Sequence, residues 1–363
     1  MSDSHHRVEA AIAAFAKGEI IVVTDDDDRE NEGDLFVAAS LCTPEKMAFI
    51  IRNTSGIVCA PLDAAGARRL HLDPMVADND APLGTAFTIT VDARHGLTTG
   101  ISAEERCNTV RALANGNMGA SDFVRPGHVF PLVAREGGVL MRSGHTEACV
   151  DLCRLARLEP VGVLSELMND DGTVMRGPQV AAFADKHKLV QISVADLIAY
   201  RQSRDKLVER AGEFESPSEI GTLRGYAYVT PFDKVHHFAF VYGDIGGGRT
   251  VPARLHRADV IGDVLGGGKT VRAALAAFKR EGRGVLVYLR DGTAGVPVAE
   301  IPHGLESGTE ATRSRQWREI GLGAQILRDL GISSITLLTP SQRTYVGLSG
   351  FGIEIAGTEA IEG

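Results

Sequence analysis

The chain has 363 residues, 44% hydrophobic and 23% charged, enough for two domains of ordinary size with a core each. A formal net charge of -9 and a pI near 5.7 exclude the basic surface excess that draws nucleic acid or anionic lipid. No apolar run approaches the roughly 20 residues that span a bilayer, and the opening MSDSHHRVEAAIAAFAKG carries acids instead of a secretory apolar core, so a cytoplasmic protein without nucleic-acid or membrane partners is expected.

In chain order, the apolar run IIVV (20–23) predicts a strand. TDDDDRENEGD (24–34) follows it directly, with acids at Asp25, Asp26, Asp27, Asp28, Glu30, Glu32 and Asp34. Such density is self-repelling unless a cation sits among the carboxylates, and hard oxygen ligands suit Mg²⁺ or Mn²⁺. The ordinary alternative is a solvated acidic turn. Its place after a strand favours the site, because ligands gather at the carboxyl ends of strands in α/β folds. FTITV (87–91) predicts a second strand and 103–114 a helix. VRPGHVFPL (124–132) places His128 in a turn stiffened by Pro and Gly ahead of an apolar run, where a lone histidine is more often structural than catalytic.

RSGHTEACVDLCRLARL (142–158) reads as a glycine-containing turn running into a helix over 146–158, with Leu152, Leu155 and Leu158 apolar. The free N–H groups of a helix start suit a phosphate. Arg142 would add a forked donor and Thr146 a hydroxyl, while His145 could offer an imidazole to a metal. The alternative is an ordinary capped helix with a surface histidine. VGVL (161–164) predicts a strand with Glu166 just past its end, beside a ligand or simply facing solvent; LVQI (189–192) and 194–202 predict a further strand and helix. The cysteines Cys42, Cys59, Cys107, Cys149 and Cys153 are unevenly spaced and suit reduced thiols better than a disulfide framework.

The polar stretch RQSRDKLVERAGEFESPS (201–218) reads as a linker, dividing the chain into domains at 1–205 and 206–363. Beyond it FAFVY (238–242), GVLVYL (284–289) and SITLL (334–338) predict strands, and 270–280 and 317–330 helices. The expected class is α/β (α+β), two domains, each a mixed sheet with flanking helices. GGGKT (266–270) is no Walker A loop, since Asp263 stands where its first glycine belongs, and GDIGGGR (243–249) reads as a turn.

The strings DDDDRENEGD, TSGIVCAPL, LTTGISAEER, RPGHVFPL, RSGHTEACVDL and GVLSELMNDDG occur in the order and spacing of 3,4-dihydroxy-2-butanone 4-phosphate synthase, and most of residues 8–203 resembles that family. The resemblance implies formation of 3,4-dihydroxy-2-butanone 4-phosphate and formate from ribulose 5-phosphate in riboflavin biosynthesis. It implies Mg²⁺ or Mn²⁺ on Glu30 and His145, with substrate oxygens and water completing the shell. Arg29, Glu30, Asp34, Arg142, Ser143, Gly144, His145, Thr146 and Glu166 would hold the sugar phosphate. His128 and Glu166 match the family's essential acid/base residues, and Cys59 and Thr99 would lie near the pocket. Glu105 stands where the family often has Asp. A homodimer with sites near the subunit interface is implied as well.

Residues 220–356 are similar to GTP cyclohydrolase II, through GTLRGYAYVTPFD, ARLHRADVIGDVLG, GRGVLVYLR and GLGAQILRDLG. That family's catalytic zinc needs three cysteines, whose matching positions here are Asp259, Thr270 and Arg272. With no cysteine after Cys153, no thiolate zinc site can form and no zinc is expected in this domain. The family's EGRG becomes GTAG (292–295), and its acid/base aspartate aligns with Gln316, although Arg318 matches. An inactive cyclohydrolase domain with a structural or regulatory role is the expectation.

Overall fold

The computed structural model describes residues 3–25, 31–81, 84–206, 208–231, 233–290, 321–340 and 353–362. The chain forms two compact units, Met1–Tyr200 and Arg201–Gly363. In the first the order is α1 (Asp3–Ala16), β1 (Ile21–Thr24), β2 (Gly33–Ala38), α2 (Pro44–Asn53), β3 (Cys59–Leu62), α3 (Ala64–Arg69), β4 (Val91–Ala93) and α4 (Ala103–Leu113), continuing with β5 (Phe123–Val133), α5 (His145–Leu155), β6 (Gly162–Glu166), α6 (Pro178–His187), β7 (Gln191–Ser193) and α7 (Val194–Arg204), which runs across the boundary.

Its seven strands form one mixed sheet in the order β4-β5-β3-β6-β2-β1-β7. The β1–β7 and β3–β5 pairs are parallel and the others antiparallel. Because side chains alternate along a strand, Leu35, Val37 and Val163 reach one face and join Met47, Ile50, Val110 and Leu113 in the main core. Phe36 and Leu164 point to the other face, where α5 lies. Gly162 lets α5 in, since a Cβ there would stand 2.2 Å from Cys149 Sγ. Among the described residues no helix is long and apolar enough to cross a membrane.

The second unit holds β8 (Glu209–Ser218), β9 (Gly221–Thr230), β10 (Asp233–Tyr242), β11 (Val251–Arg257), α8 (Lys269–Glu281), β12 (Gly284–Leu289), β13 (Ser334–Thr339) and β14 (Glu354–Ala360). Residues 321–329 are helical as well. The sheet order is β14-β13-β11-β12-β10-β9-β8, parallel from β14 to β12 and antiparallel from β12 to β8. Helix α8 buries Ala274, Leu275 and Phe278 against Leu223, Leu286 and Leu338. Both sheets are mixed, as expected.

Several expectations need correction. The supposed linker contains β8, an edge strand whose side chains are mostly exposed, so its polarity conceals a backbone ladder to β9. Its Phe214 ring stands edge-on to Phe238 at 6.1 Å and to Phe240 at 6.0 Å. The unit boundary accordingly falls after Tyr200, five residues before the expected one, and the Gln325 amide donates to the carbonyl oxygens of Gln202 and Asp205. FTITV is a strand only from Val91 onward; Phe87 and Thr88 make single bridges, to Leu132 and Pro74. VRPGHVFPL lies inside β5, where Gly127 lets β4 approach so closely that a Cβ would stand 2.0 Å from the Val91 carbonyl carbon. Helix α5 starts at His145 and stops at Leu155, shortly before Arg157 turns left-handed at φ 58.

Candidate active site

Strand register gathers four of the expected residues. Antiparallel pairing sets Asp34 of β2 opposite Glu166 of β6, and Cys59 of β3 opposite Leu164. Parallel pairing sets Phe130 of β5 beside Cys59. Opposed residues share a face and side chains repeat every second position. Asp34, Cys59, His128 and Glu166 therefore occupy one face of four neighbouring strands, the face that α5 covers. Arg29 and Glu30 lie outside the described residues.

The start of α5 brings the second cluster to that face. Gly144 is the N-cap, and Arg142, Ser143, His145 and Thr146 are all buried. His145 stands edge-on to Phe36, with ring centroids 5.9 Å apart, and its Nδ1 is 3.6 Å from Oδ2 of the buried Asp34. The Arg142 guanidinium is less open to a ligand than the sequence suggested. Its Nη1 donates to Glu147 Oε2 at 2.7 Å and its Nη2 to Thr85 Oγ1 at 3.1 Å. Gly144 makes room for it, because a Cβ would lie 2.1 Å from Nη1. Glu147 also accepts the Arg135 N–H, and Asp151 accepts that of Val139, so two buried acids of α5 tie down the segment before it.

His128 has a partner that the sequence did not reveal. Asp92, at the middle of β4, is 3% exposed; it accepts the His128 backbone N–H at 2.9 Å and stands 2.7 Å from Nδ1. A carboxylate accepts only, so Nδ1 carries the proton and the lone pair is left on Nε2. The side chain is 41% exposed, which leaves the ring open for proton transfer. Gly100 presses on this pair with φ +83, where a Cβ would stand 2.2 Å from Asp92 Oδ2 and 2.6 Å from His128 Nδ1.

The turn that carries Gly100 is held by Glu105. Its carboxylate accepts from the Thr98 N–H and hydroxyl at 2.7 Å each, and from the Ser102 hydroxyl at 2.8 Å, while Ser102 caps α4. The Thr98 hydroxyl foremost, then the backbone N–H groups and Ser102, hold the Glu105 carboxyl well below the usual range. The longer acid is thus accommodated. Thr99 stands in the same turn, its hydroxyl 3.4 Å from Glu105.

Glu166 accepts from Ser55 Oγ at 2.9 Å, and the Ser55 N–H donates to the Glu166 carbonyl at 2.8 Å. Burial first, and then the charges of Glu166 and Asp34, push the Cys59 thiol far up. Cys59 is therefore a neutral thiol, not a nucleophile. Among the described residues no three His, Cys, Asp or Glu side chains are gathered closely enough to hold a metal ion.

In the second unit the positions matching the zinc ligands carry no thiols, and a carboxylate holds the turn instead. Asp263 accepts from Tyr288 OH at 2.6 Å, from His256 Nε2 at 2.8 Å and from the Asp259 N–H at 3.0 Å. Burial would raise the Asp263 carboxyl, but these donors outweigh it and hold it below the usual range. Burial lowers His256, which stays a neutral donor. The strings GTAG and residues Gln316 and Arg318 lie outside the described residues.

Both units of the chain are similar to known proteins. The profile of the 3,4-dihydroxy-2-butanone 4-phosphate synthase family matches residues 9–200, and that of GTP cyclohydrolase II residues 209–360. A riboflavin biosynthesis protein RibBA of Salinispora arenicola is 46% identical over 96% of this chain and 87% of its own length. A bifunctional riboflavin biosynthesis protein RIBA 1 of Arabidopsis thaliana is 45% identical, over 96% and 68%. Among solved structures, RibBX of A. baumannii, described as a two-domain 3,4-dihydroxy-2-butanone 4-phosphate synthase, matches with a TM-score of 0.81 at 37% identity, covering 98% of this chain and 99% of that one. A 3,4-dihydroxy-2-butanone 4-phosphate synthase in complex with two magnesium ions matches with a TM-score of 0.54 at 45% identity, covering 54% and 97%.

Proposed function

Because this chain belongs to the 3,4-dihydroxy-2-butanone 4-phosphate synthase family, a lyase of riboflavin biosynthesis fused to a domain of the GTP cyclohydrolase II family, we propose that it converts ribulose 5-phosphate to 3,4-dihydroxy-2-butanone 4-phosphate and formate on the α5 face of its first sheet. The observation that carries this is the register that sets Asp34, Cys59, His128 and Glu166 on one face under α5. The atoms balance, since the pentulose phosphate divides into a four-carbon phosphate and formic acid.

The donor set fits a hard divalent cation: a buried imidazole beside a buried carboxylate, next to an acidic run. Glu30 and His145 would hold Mg²⁺ or Mn²⁺, and Asp34 would orient the imidazole from behind. Such a cation polarises neighbouring carbonyl and hydroxyl oxygens of a bound sugar. Ser143, Gly144 and Thr146, with the N–H groups of the first α5 turn, receive the phosphate. Arg142 adds its charge there while it stays anchored to Glu147, and Arg29 and Asp34 complete the sugar contacts. His128 takes or returns a proton at Nε2, held in that tautomer by Asp92. Glu166 moves the second proton, steadied by Ser55. A homodimer is part of the same reading.

Purified protein given ribulose 5-phosphate and Mg²⁺ is expected to release formate, and EDTA is expected to stop it. Folded, metal-loaded protein that releases none would make the domain a binding site without chemistry.

The second domain, in this reading, has lost the cyclohydrolase reaction and serves a structural or regulatory role. The Arabidopsis relative is named bifunctional, but this chain has no cysteine after Cys153 to build a thiolate zinc site, and RibBX is described as a two-domain 3,4-dihydroxy-2-butanone 4-phosphate synthase. GTP with added Zn²⁺ is expected to yield neither formate nor pyrophosphate. Turnover above a zinc-only blank would restore the bifunctional assignment.

A further inference from the structure

The turn ahead of α4 lies over the bond that orients His128. Gly100 is buried there, so close to the pair that a Cβ would lie 2.2 Å from Asp92 Oδ2 and 2.6 Å from His128 Nδ1. A side chain would not fit, and the φ of +83 favours glycine as well. The glycine backbone therefore covers the Asp92–His128 bond, while part of the ring stays open.

What keeps this turn in place is α4. The Glu105 carboxylate reaches back over it: Oε1 accepts from the Thr98 N–H and hydroxyl at 2.7 Å each, and Oε2 from the Ser102 hydroxyl at 2.8 Å and the Thr99 hydroxyl at 3.4 Å. Gly100 is thus bracketed, with Thr98 and Thr99 before it and Ser102 after it tied to one side chain. After the Thr98 hydroxyl and N–H, the Gly100 N–H is itself among the donors that hold this carboxyl below the usual range. The helix is fixed in turn to the strand that carries Asp92. Thr109 Oγ1 accepts the Ala93 N–H at 2.9 Å and donates to the Glu105 carbonyl at 3.0 Å. The buried Arg106 pins the same stretch of α4 by donating from Nη1 to the Gly56 carbonyl at 2.8 Å. Turn and β4 are held by one helix, so α4 sets the gap between Gly100 and Asp92.

A hydrogen bond weakens where water competes for its partners, and a ring released from its anchor visits other rotamers. We propose that Glu105 is a positioning residue for proton transfer: it latches the Thr98–Ser102 turn so that the Gly100 backbone seals the Asp92–His128 bond from water and fixes the aim of the ring. This rests on the acid–base assignment of His128. A carboxylate suits the task because both its oxygens accept, whereas a glutamine amide would turn an NH₂ toward one half of the turn. The alternative is that Glu105 only caps α4.

The test uses the full chain with Glu105→Ala, Glu105→Gln and Ser102→Ala, each confirmed as folded by its thermal transition. For each, kcat and KM for ribulose 5-phosphate with Mg²⁺ are measured, and NMR follows the exchange with water of the proton between Asp92 and the His128 ring. Glu105→Ala is expected to lower kcat about 100-fold, the scale of a small misplacement, with KM within about threefold. Its ring proton should exchange faster, until the resonance broadens away. Ser102→Ala loses the cap but keeps Thr98 on Glu105, so it should melt lower and hold kcat within about threefold of the parent. Parental kcat in Glu105→Ala, unchanged exchange there, or an equal fall of kcat in Ser102→Ala would each overturn the proposal. So would a rise in KM at unchanged kcat, which would place the turn in substrate binding through Thr99. If Glu105→Ala does not fold, Glu105→Gln decides alone: a kcat about tenfold lower with faster exchange is expected, and a parental kcat overturns the proposal. His128→Asn at the parental rate would instead sink the acid–base assignment, while faster exchange in Glu105→Ala would still show the seal, so the two failures are distinguishable.

Discussion

Formate release from ribulose 5-phosphate will fall to background in His145→Ala. The imidazole lies at the start of α5 with Nδ1 3.6 Å from Asp34, and it is the described half of the expected Glu30 and His145 pair. Removing one protein donor from so sparse a set removes the cation together with the polarisation that makes the sugar's protons labile. Truncation also opens space beside Phe36, whose ring stands edge-on to the imidazole. That cavity is expected to cost about 1 to 3 kcal/mol, a shift of several degrees in Tm. The thermal transition therefore separates lost chemistry from lost fold, and titration calorimetry with Mg²⁺ reads the lost site directly. A folded variant that still turns over at a near-normal rate would remove His145 from the metal assignment.

Asp92→Asn should lower kcat by about 10²- to 10⁴-fold, the range for losing a positioned acid or base, while KM stays close to the parent's. The carboxylate accepts two N–H groups from one residue, the backbone and the ring of His128. An amide of the same size has one acceptor and one donor, so one of those N–H groups would face an NH₂. Either the backbone bond breaks or the ring turns to offer its lone pair, and then Nε2 carries a proton and cannot take one. Asp92 touches no substrate in this arrangement, so binding should survive. An equal fall in affinity and rate would place Asp92 in the substrate site instead.

Much of this was legible because the informative signals are local. The glycine turn before α5 and the periodicity of α4 depend on residues close together in the chain. Asp92 was not legible, since an acid at the end of FTITVD looks like any strand end, and only the β4–β5 pairing brings it to His128. Arg106 belongs to the same class. Its burial follows from where α4 lies and cannot be read from AEER. Arg142 shows the opposite failure: the forked donor was seen, but Glu147, five residues further along the same motif, takes one arm of it. Strand β8 was missed because an edge strand with two solvated faces lacks the alternation that betrays others.

The carboxylate that fastens the 259–263 turn has a practical consequence at the bench. A tie made by the phenol of Tyr288, the imidazole of His256 and an amide N–H contains nothing that a chelator can remove. Under the proposed assignment, EDTA is expected to strip the synthase site and leave the melting of the second domain where it was. Loss of activity under chelation can then be traced to one half of the molecule.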